Sequence, residues 1–248
     1  MDMLTIFGIA VALFAVLGGQ YLEGGSVHSL LSFPAFLIVI GGSFGAIMLQ
    51  TRLSVFRRAM MMVAWIVFPP RIRHEDAIRK IVAWSKVVRK EGILSLQNKL
   101  ENEKNNFVKK GLEIIINGGN NIQLRRVLEV EIDTKEIEDM NAARVYESLG
   151  AYCPTVGILG AVLGLIHVMH NLAEPDKLGS GIAIAFIATV YGVGFANLFF
   201  LPVARKLVHI VNEQTRYHEL LLEGLISVMD GEHPYNIEQK LRGFIGKK

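Results

Sequence analysis

The stretch PTVGILGAVLGLIHVMHNL, residues 154–172, is apolar enough to cross a bilayer, yet glycine recurs through its first half. A bilayer-spanning helix needs about 20 predominantly apolar residues. Gly157, Gly160 and Gly164 offer no side chain with which such a helix could fill its surroundings. We interpret this pattern as a sign that another helix approaches this one very closely.

The composition of the whole chain is typical of a membrane protein. Its 248 residues are 51% hydrophobic and 20% charged, with a mean hydropathy of +0.37. The single cysteine, Cys153, excludes an intrachain disulfide and a multi-cysteine metal site. A net charge of +3 gives no reason to expect nucleic acid as a partner. The first apolar run also lacks the basic start of a cleavable signal peptide.

Four stretches without Asp, Glu, Lys or Arg are long enough to span a membrane. They are 3–22, 24–51, 148–173 and 178–204. The sequence therefore predicts an all-α integral membrane protein with four transmembrane helices. The apolar run 59–70 is too short to span and ends at Pro69-Pro70, so it favours an interfacial helix.

The distribution of Lys and Arg orients these four helices, because cytoplasmic loops carry the excess of cations. The link 23–33 between the first two helices holds none, and the link 174–177 between the last two holds one. The remainder of the 26 lie between residues 52 and 153 or after residue 204. We therefore expect both termini and the long middle segment to be cytoplasmic.

Predicted domain boundaries follow from this topology. Transmembrane helices one and two occupy 1–51, a helical cytoplasmic domain occupies 52–150, transmembrane helices three and four occupy 151–204, and a cytoplasmic helical tail occupies 205–248. The tail reads as a direct continuation of the fourth span that ends at Asp230-Gly231.

The middle segment shows the periodicity of helices rather than of strands. Apolar residues at helical spacing predict helices over 78–88, 107–116 and 124–137. Gly92 and the pair Gly118-Gly119 are the expected breaks between them.

Small residues form matching stripes on the third and fourth predicted spans. They are Gly157, Gly160, Ala161 and Gly164 on the third, and Ala185, Ala188, Thr189, Gly192 and Ala196 on the fourth. Two interpretations are open at this point. Either the stripes pack the two helices against each other, or they line a narrow central space that holds a helix of another chain.

None of the four spans contains a carboxylate or a cation. An intramembrane ionisable residue is the usual mark of an ion relay. If ions pass, a partner must therefore bring the carboxylate. Thr155, Thr189 and Tyr191 are the polar groups near the stripes, although a membrane threonine commonly bonds the carbonyl four residues earlier.

Other candidate chemistry is sparse. His167 and His170, near the outer end of the third span, are most simply explained as hydrated interfacial residues. No phosphate loop, zinc-hydrolase helix or nucleophile elbow occurs, so we do not expect an enzyme, a cofactor or a metal.

Several stretches together resemble the MotA/PomA family of flagellar motor stator subunits, within the wider MotA/TolQ/ExbB proton channel superfamily. They are FGIAVALFAVLGGQYLEGG (7–25), FLIVIGGSFGA (36–46), PTVGILGAVLGLI (154–166) and IATVYGVGFANLFFLPVARKL (187–207). The order of four spans with a large helical loop between the second and third also matches, so the resemblance covers essentially the whole chain.

The resemblance implies an assembly in the bacterial inner membrane. A ring of copies, five in the family, surrounds a single-span, peptidoglycan-anchored partner of the MotB/PomB type that supplies the missing aspartate. Proton or sodium flow past that aspartate moves the ring, and the cytoplasmic domain pushes a rotor protein of the FliG type.

The resemblance also assigns roles to residues. Thr189 matches the threonine that faces the partner's aspartate, and Pro154 and Pro202 match two prolines that couple ion flow to torque. The expected ion-pathway and partner-facing set is Thr189, Thr155, Ala161, Ala188, Gly160, Gly164, Gly192 and Tyr191. The expected rotor-binding set is Arg89, Lys90 and Glu101.

Two positions depart from the family pattern. The acidic residue expected eight positions after Arg89 is Gln97 here, with Glu101 and Glu103 further on. Sodium-type members resemble this chain but carry hydroxyl residues where it has Ala161 and Ala188. Sodium needs oxygen ligands to replace its water, so the sequence favours protons.

Two alternatives to a flagellar stator remain. One is an energiser of an outer-membrane process of the ExbB/TolQ type, whose members typically have three spans. The other is a membrane scaffold through which no ions pass.

Overall fold

The computed structural model describes residues 3–170 and 175–245, which are helices joined by short turns with no β-strand among them. This confirms the predicted all-α class. The helices are α1 (Met3–Leu22), α2 (Phe33–Gln50), α3 (Leu53–Met62), α4 (Ala64–Val67), α5 (His74–Glu91), α6 (Gln97–Glu101), α7 (Asn106–Ile116), α8 (Asn121–His170), α9 (175–229) and α10 (Pro234–Arg242). Single 3₁₀ turns lie at Val27–Leu30 and Ile93–Leu96.

Three of these helices are long and apolar enough to cross a membrane: α2, α8 and the part of α9 from Gly181 to Met229. The apolar part of α1, Phe7–Leu22, is shorter. The chain is therefore a helical membrane protein, and the count of four spans stays a prediction. Residues 171–173 of the predicted third span and residue 174 of the predicted link 174–177 lie outside the described part, whereas residues 175–177 belong to α9.

The second apolar helix begins at Phe33, where the predicted link 23–33 ends, and not at residue 24, where the charge-free stretch starts. Gly24 has a φ of +81° and makes a turn, which L side chains rarely allow. The hydroxyl of Ser32 then accepts a hydrogen bond from the backbone N–H of Ala35 (3.4 Å), and Pro34 follows in the first turn. This is a standard N-cap, so local turn chemistry overrides the apolar run.

The predicted helix 124–137 and the predicted third span are parts of one helix, α8. No glycine or proline occurs between Asn121 and Leu149, so nothing stops the helix before the membrane. Pro154 lies inside α8 without ending it. The fourth span likewise runs on into the tail as α9, which ends before Gly231 (φ +67°), as predicted.

The chain divides into two compact units. We call the described residues of 1–69 and 139–209 the membrane unit, and those of 70–138 and 210–248 the helical domain. These boundaries differ from the predicted ones because α8 and α9 each belong to both units.

In the membrane unit, aromatic rings hold α2 to α9. Phe36 makes edge-on contacts with Tyr191 and Phe195, and Phe44 does so with Phe200, at centroid distances of 6.0 to 6.4 Å. Phe200 is therefore buried, whereas Phe186 is 70% exposed. An ion pair also links α3 to α8 in this unit: Arg58 Nε lies 2.6 Å from the buried carboxylate of Asp139.

In the helical domain, α5, α7, α10 and the adjoining parts of α8 and α9 enclose a core of large side chains. The core includes Ile81, Trp84, Leu112, Leu124, Leu128, Leu220 and Leu225. The helices predicted over 78–88 and 107–116 are confirmed as α5 and α7. The predicted breaks at Gly92 and Gly118 are confirmed too, with φ values of +82° and +79°.

Candidate functional site

The two stripes of small residues face each other within the chain. A Cβ added to Gly157 would lie 2.9 Å from the carbonyl oxygen of Ala188 and 3.1 Å from Cα of Gly192. A Cβ added to Gly164 would lie 3.0 to 3.1 Å from three atoms of Ala185. The backbones of α8 and α9 are thus separated by little more than the glycine hydrogens, as small-residue packing in membranes allows.

Among the stripe glycines, the closest approach to backbone atoms lies at Gly192. A Cβ at this position would be 2.6 Å from the carbonyl oxygen of Cys153, 3.0 Å from Cα of Gly157 and 3.2 Å from Cα of Pro154. All three atoms belong to backbone, which cannot rotate away. Pro154 lies at this contact and has no N–H to donate to the carbonyl of Gly150, so the predicted coupling proline lies at a backbone contact between α8 and α9.

Gly160 lies where three helices meet. A Cβ there would be 2.9 Å from Cβ of Ala188 on α9 and 3.3 Å from Cγ2 of Ile38 on α2. One turn away, a Cβ on Gly42 of α2 would be 2.9 Å from Val156. We call the contact between α8 and α9 at Gly157, Gly160, Gly164 and Gly192 the glycine seam. Helix α2 packs against this seam.

Within the chain, the two stripes pack α8 against α9, which is the first of the two interpretations left open by the sequence. Gly160, Gly164, Ala188 and Gly192 are buried by that packing. A direct contact between these four residues and another chain stays a prediction of the resemblance.

Three of the predicted pathway residues lie beside the seam and keep an accessible surface. Thr155 is exposed, and its hydroxyl donates to the carbonyl of Tyr152 (2.8 Å). Thr189 is half-buried, and its hydroxyl donates to the carbonyl of Ala185 at 3.4 Å. Ala161 is half-buried as well. The bond of Thr189 to the carbonyl four residues earlier is the bond expected from sequence.

Tyr191 has a role that sequence reasoning missed. Its hydroxyl donates to the carbonyl of Leu30 (2.6 Å) and accepts from the backbone N–H of Ser32 (3.2 Å). The side chain therefore fixes the turn that leads into α2. No local pattern predicts this pairing, since the partners are about 160 residues apart in the chain.

Pro202 lies just after a π-helical turn, Ala196–Phe200, in α9. Proline removes a helix hydrogen bond, and its ring clashes with the carbonyl four residues earlier. A widened turn relieves that clash and lets the helix continue. Such turns recur at functional sites in helices.

The described parts of the spans contain no carboxylate or cation, and no cluster of three His, Cys, Asp or Glu side chains suited to a metal occurs among the described residues. His167 and His170 are exposed, and His167 has an interaction within the chain. Along the contact between α8 and α9, the described membrane unit thus offers hydroxyls and carbonyls, and no carboxylate or cation.

The predicted rotor-binding residues lie in the helical domain. Arg89 is in the last turn of α5 and donates to the carbonyl of Gly231 (3.1 Å), at the turn that ends α9. Lys90 is exposed beside it, and Glu101 is exposed at the end of α6. Glu103 does not share that surface. Its side chain is 3% exposed, pairs with Lys80 and accepts from the N–H groups of Lys104 and Asn105.

No sequence pattern predicted a partly exposed ion network in the same domain. The carboxylate of Glu223 on α9 pairs with Arg125 on α8 and with Lys240 on α10 (3.0 Å). Burial raises the pKa of Glu223, but the hydrogen bonds from Arg125 and Lys240 outweigh it and leave the pKa below its usual value. The network ties three helices of the domain together in their charged state.

Comparison with known proteins bears on the whole chain. Residues 6–92 match the motility protein A N-terminal family, and residues 99–220 match the MotA/TolQ/ExbB proton channel family. Motility protein A of Bacillus subtilis is 30% identical over 250 residues, which cover 100% of this chain and 92% of that protein.

Two solved structures have a similar fold. A chain of the C. jejuni MotAB structure superposes with a TM-score of 0.93 at 26% identity and covers 98% of this chain and 96% of its own length. A chain of the flagellar MotAB stator complex from Bacillus subtilis superposes with a TM-score of 0.87 at 29% identity, with coverages of 96% and 94%.

Proposed function

The chain belongs to the motility protein A family, and from that premise we propose that it works as a stator subunit of a bacterial flagellar motor. It forms a ring of several copies, five by the family resemblance, around a single-span partner of the MotB type. The whole-chain likeness to chains of two MotAB structures supports this assignment. The match to the motility protein A N-terminal family favours it over the ExbB/TolQ-type alternative.

The observation that carries the ion-coupling role is a seam without charge. The described parts of α8 and α9 in the membrane pack through glycine and alanine and contain no ionisable carboxylate or cation. A relay across the membrane requires a titratable group, so the partner's helix brings the carboxylate. The accessible polar groups beside the seam, Thr155 and Thr189, are the ones that face it in this proposal.

The translocated ion is the proton. A sodium ion that sheds its water needs several oxygen ligands, and Ala161 and Ala188 supply none. Ala188 is also fully buried, and its Cβ already approaches Gly160. Thr189 provides one hydroxyl per subunit beside the seam. One hydroxyl can hydrogen-bond a carboxylate that accepts a proton, but it cannot by itself complete the oxygen shell that a sodium ion needs.

The chain lies in the inner membrane with both termini and the helical domain in the cytoplasm, where the cations lie. There the domain presents Arg89, Lys90 and Glu101 to a rotor of the FliG type. Gln97 is exposed on α6, so the acidic part of this contact is shifted to Glu101. Arg89 steers docking by its charge while its bond to Gly231 fixes its direction.

Rotation under controlled ion gradients tests this function. Tethered cells whose only stator contains this chain are followed as external sodium is varied at constant pH and membrane potential. We expect constant speed without sodium and arrest when a protonophore collapses the proton gradient. A saturable rise of speed from near zero with sodium would show that backbone carbonyls supply the missing ligands. If cells rotate equally well with and without this chain, the chain is not the stator, and the alternative of a membrane scaffold through which no ions pass is favoured.

A further inference from the structure

A cleft of about 340 Å³ opens on the membrane unit between α1, α4 and α9, away from the glycine seam. Gly8, Ile9 and Ala12 of α1 form one wall, and Ile66 of α4 lies at the side. The other wall is 197–203 of α9, which includes the π-helical turn and Pro202. Its volume falls in the range of about 300–1,000 Å³ in which small-molecule sites are found.

The polarity of the cleft changes along its length. At one end, the ammonium of Lys206 on α9 donates to the hydroxyl of Thr5 on α1, so both side chains lie at the mouth between the two helices. From Thr5 the cleft follows α1 past Gly8 and Ile9 to Ala12. Seven residues of helix rise by about 10 Å, and beyond the mouth Asn197 is the remaining polar side chain, whose amide donates to the carbonyl of Val193.

The shape and polarity of the cleft fit an amphiphile better than a helix. It has a cation at one end and a mainly apolar trough of about 10 Å beyond it. A trough open to the hydrocarbon is filled by an acyl chain, because water there finds too few polar partners. An ammonium near the end of a membrane span reaches for the phosphate layer, and its three N–H groups let it hold more than one acceptor. Basic pockets between transmembrane helices bind anionic lipid headgroups in this manner.

We propose that this cleft binds one anionic phospholipid per chain, with its phosphate on Lys206 and Thr5 and an acyl chain along Gly8, Ala12 and Pro202. On the orientation proposed above, the lipid belongs to the cytoplasmic leaflet. This lipid site is separate from the ion-coupling role, and lipid binding there does not require that ions pass. It places a lipid chain directly against the proline that the resemblance assigns to torque coupling.

The experiment measures lipid retained by the full-length chain in its purified membrane assembly. Native mass spectrometry counts phosphatidylglycerol and phosphatidylcholine with identical acyl chains after each is added in turn. Two variants probe the two ends of the cleft. Lys206→Gln removes the cation, and Gly8→Leu fills the trough, where an added Cβ meets nothing within 4 Å. Matched controls are Arg205→Gln, the neighbouring exposed cation, and Gly19→Leu, on the same helix with similar open space.

The wild-type assembly should retain phosphatidylglycerol in preference to phosphatidylcholine. Lys206→Gln should lower phosphatidylglycerol retention about fivefold and abolish the preference, since one interfacial cation contributes about that much. Lys206→Arg should restore it. Gly8→Leu should lower retention of both lipids, and both controls should behave as wild type.

Equal retention of the two lipids by the wild type would overturn the proposal. So would unchanged retention in both Lys206→Gln and Gly8→Leu. If these variants instead change the number of subunits in the assembly, a second copy of the chain occupies the cleft and the lipid proposal is wrong. Rotation is not measured, so the result is independent of the motor function.

Discussion

The glycine seam of the membrane unit and the core of the helical domain hold helices together by opposite means. At the seam, the atoms in contact are backbone atoms of Gly157, Gly192 and Pro154 and the small side chains of Ala185 and Ala188. In the domain they are large aliphatic side chains such as Leu112, Leu220 and Leu225.

The difference follows from the solvent each unit meets. In water, burying apolar area drives association, so the largest apolar side chains stabilise most. In a bilayer, lipid tails are as apolar as leucine, and association depends on close van der Waals contact between smooth surfaces. The same chain therefore needs bulk in one unit and the absence of bulk in the other.

Deleting bulk from the domain should have the largest effect on stability. Leu112 is fully buried, and Leu112→Ala should lower the free energy of unfolding of the domain by about 2–5 kcal/mol through lost burial and a cavity. Unfolding is followed by the fluorescence of Trp84, which lies in this core, in a Trp65→Phe background.

Leu94→Ala is the control, since Leu94 is 70% exposed in the same domain and should change stability by less than about 0.5 kcal/mol. Equal effects of the two changes would show that bulk does not hold the domain together.

Adding bulk to the seam should have the next largest effect. In Gly192→Ala, the new methyl group would meet only backbone atoms at 2.6 to 3.2 Å, so the helices must separate. Overpacking costs about 1–3 kcal/mol, and swimming should be lost at normal membrane levels. The measurements are thermal unfolding through Trp65 in a Trp84→Phe background and the diameter of swim rings.

Gly194→Ala provides the comparison for this change. Gly194 is two residues away on the same helix, and a Cβ there meets nothing within 4 Å. This variant should be neutral or gain up to about 1 kcal/mol from helix propensity. If Gly192→Ala behaves in the same way, the close approach at the seam is not needed.

Acid should weaken the domain and leave the seam unchanged. Burial lowers the pKa of His218, as does Lys135, while the carbonyl of Gln214 and Glu131 act in the opposite direction. The folded domain therefore binds a proton less readily than the unfolded chain, and stability falls as pH drops below about 6.5, by at most about 1.4 kcal/mol per unit.

Unfolding measured between about pH 7.5 and 5.5, on either side of the ordinary histidine pKa, checks this expectation. The unfolding transition followed by Trp84 fluorescence should move to a lower denaturant concentration in acid. His218→Gln should remove most of that shift. The Trp65 signal, which reports on the membrane unit, should move less, because the glycines and alanines at the contact between α8 and α9 have no side chain to titrate. A shift that survives in His218→Gln would assign the pH dependence to other groups.

A glycine in the domain should give the smallest effect. A Cβ on Gly224 would lie within 3.2 Å of three atoms of the Ile81 side chain. Unlike backbone, the end of this side chain can rotate aside, and the gain of about 1 kcal/mol in helix propensity opposes the strain. Gly224→Ala should therefore change stability by less than about 1 kcal/mol. A cost as large as that of Gly192→Ala would remove the distinction between the two kinds of contact.

Patterns that act locally gave correct predictions. Periodicity predicted α5 and α7, and the glycines with positive φ ended helices as expected. The runs without charge indicated a membrane protein, and the resemblance of four stretches indicated its family. The link 23–33 ended where α2 begins, at the Ser32 cap. The boundary before the third span was less accurate, because the lack of any stop signal before Gly150 joins two predicted helices into α8.

The sequence by itself determined that the membrane-spanning parts of α8 and α9 carry small residues at helical spacing and no charge, because spacing and composition are read along one chain. Only the tertiary structure decided that the stripes face each other, that Tyr191 holds the turn at Leu30 and that Glu103 is buried against Lys80. These contacts join residues far apart in the chain. Their geometry depends on how whole helices pack, which no local pattern encodes.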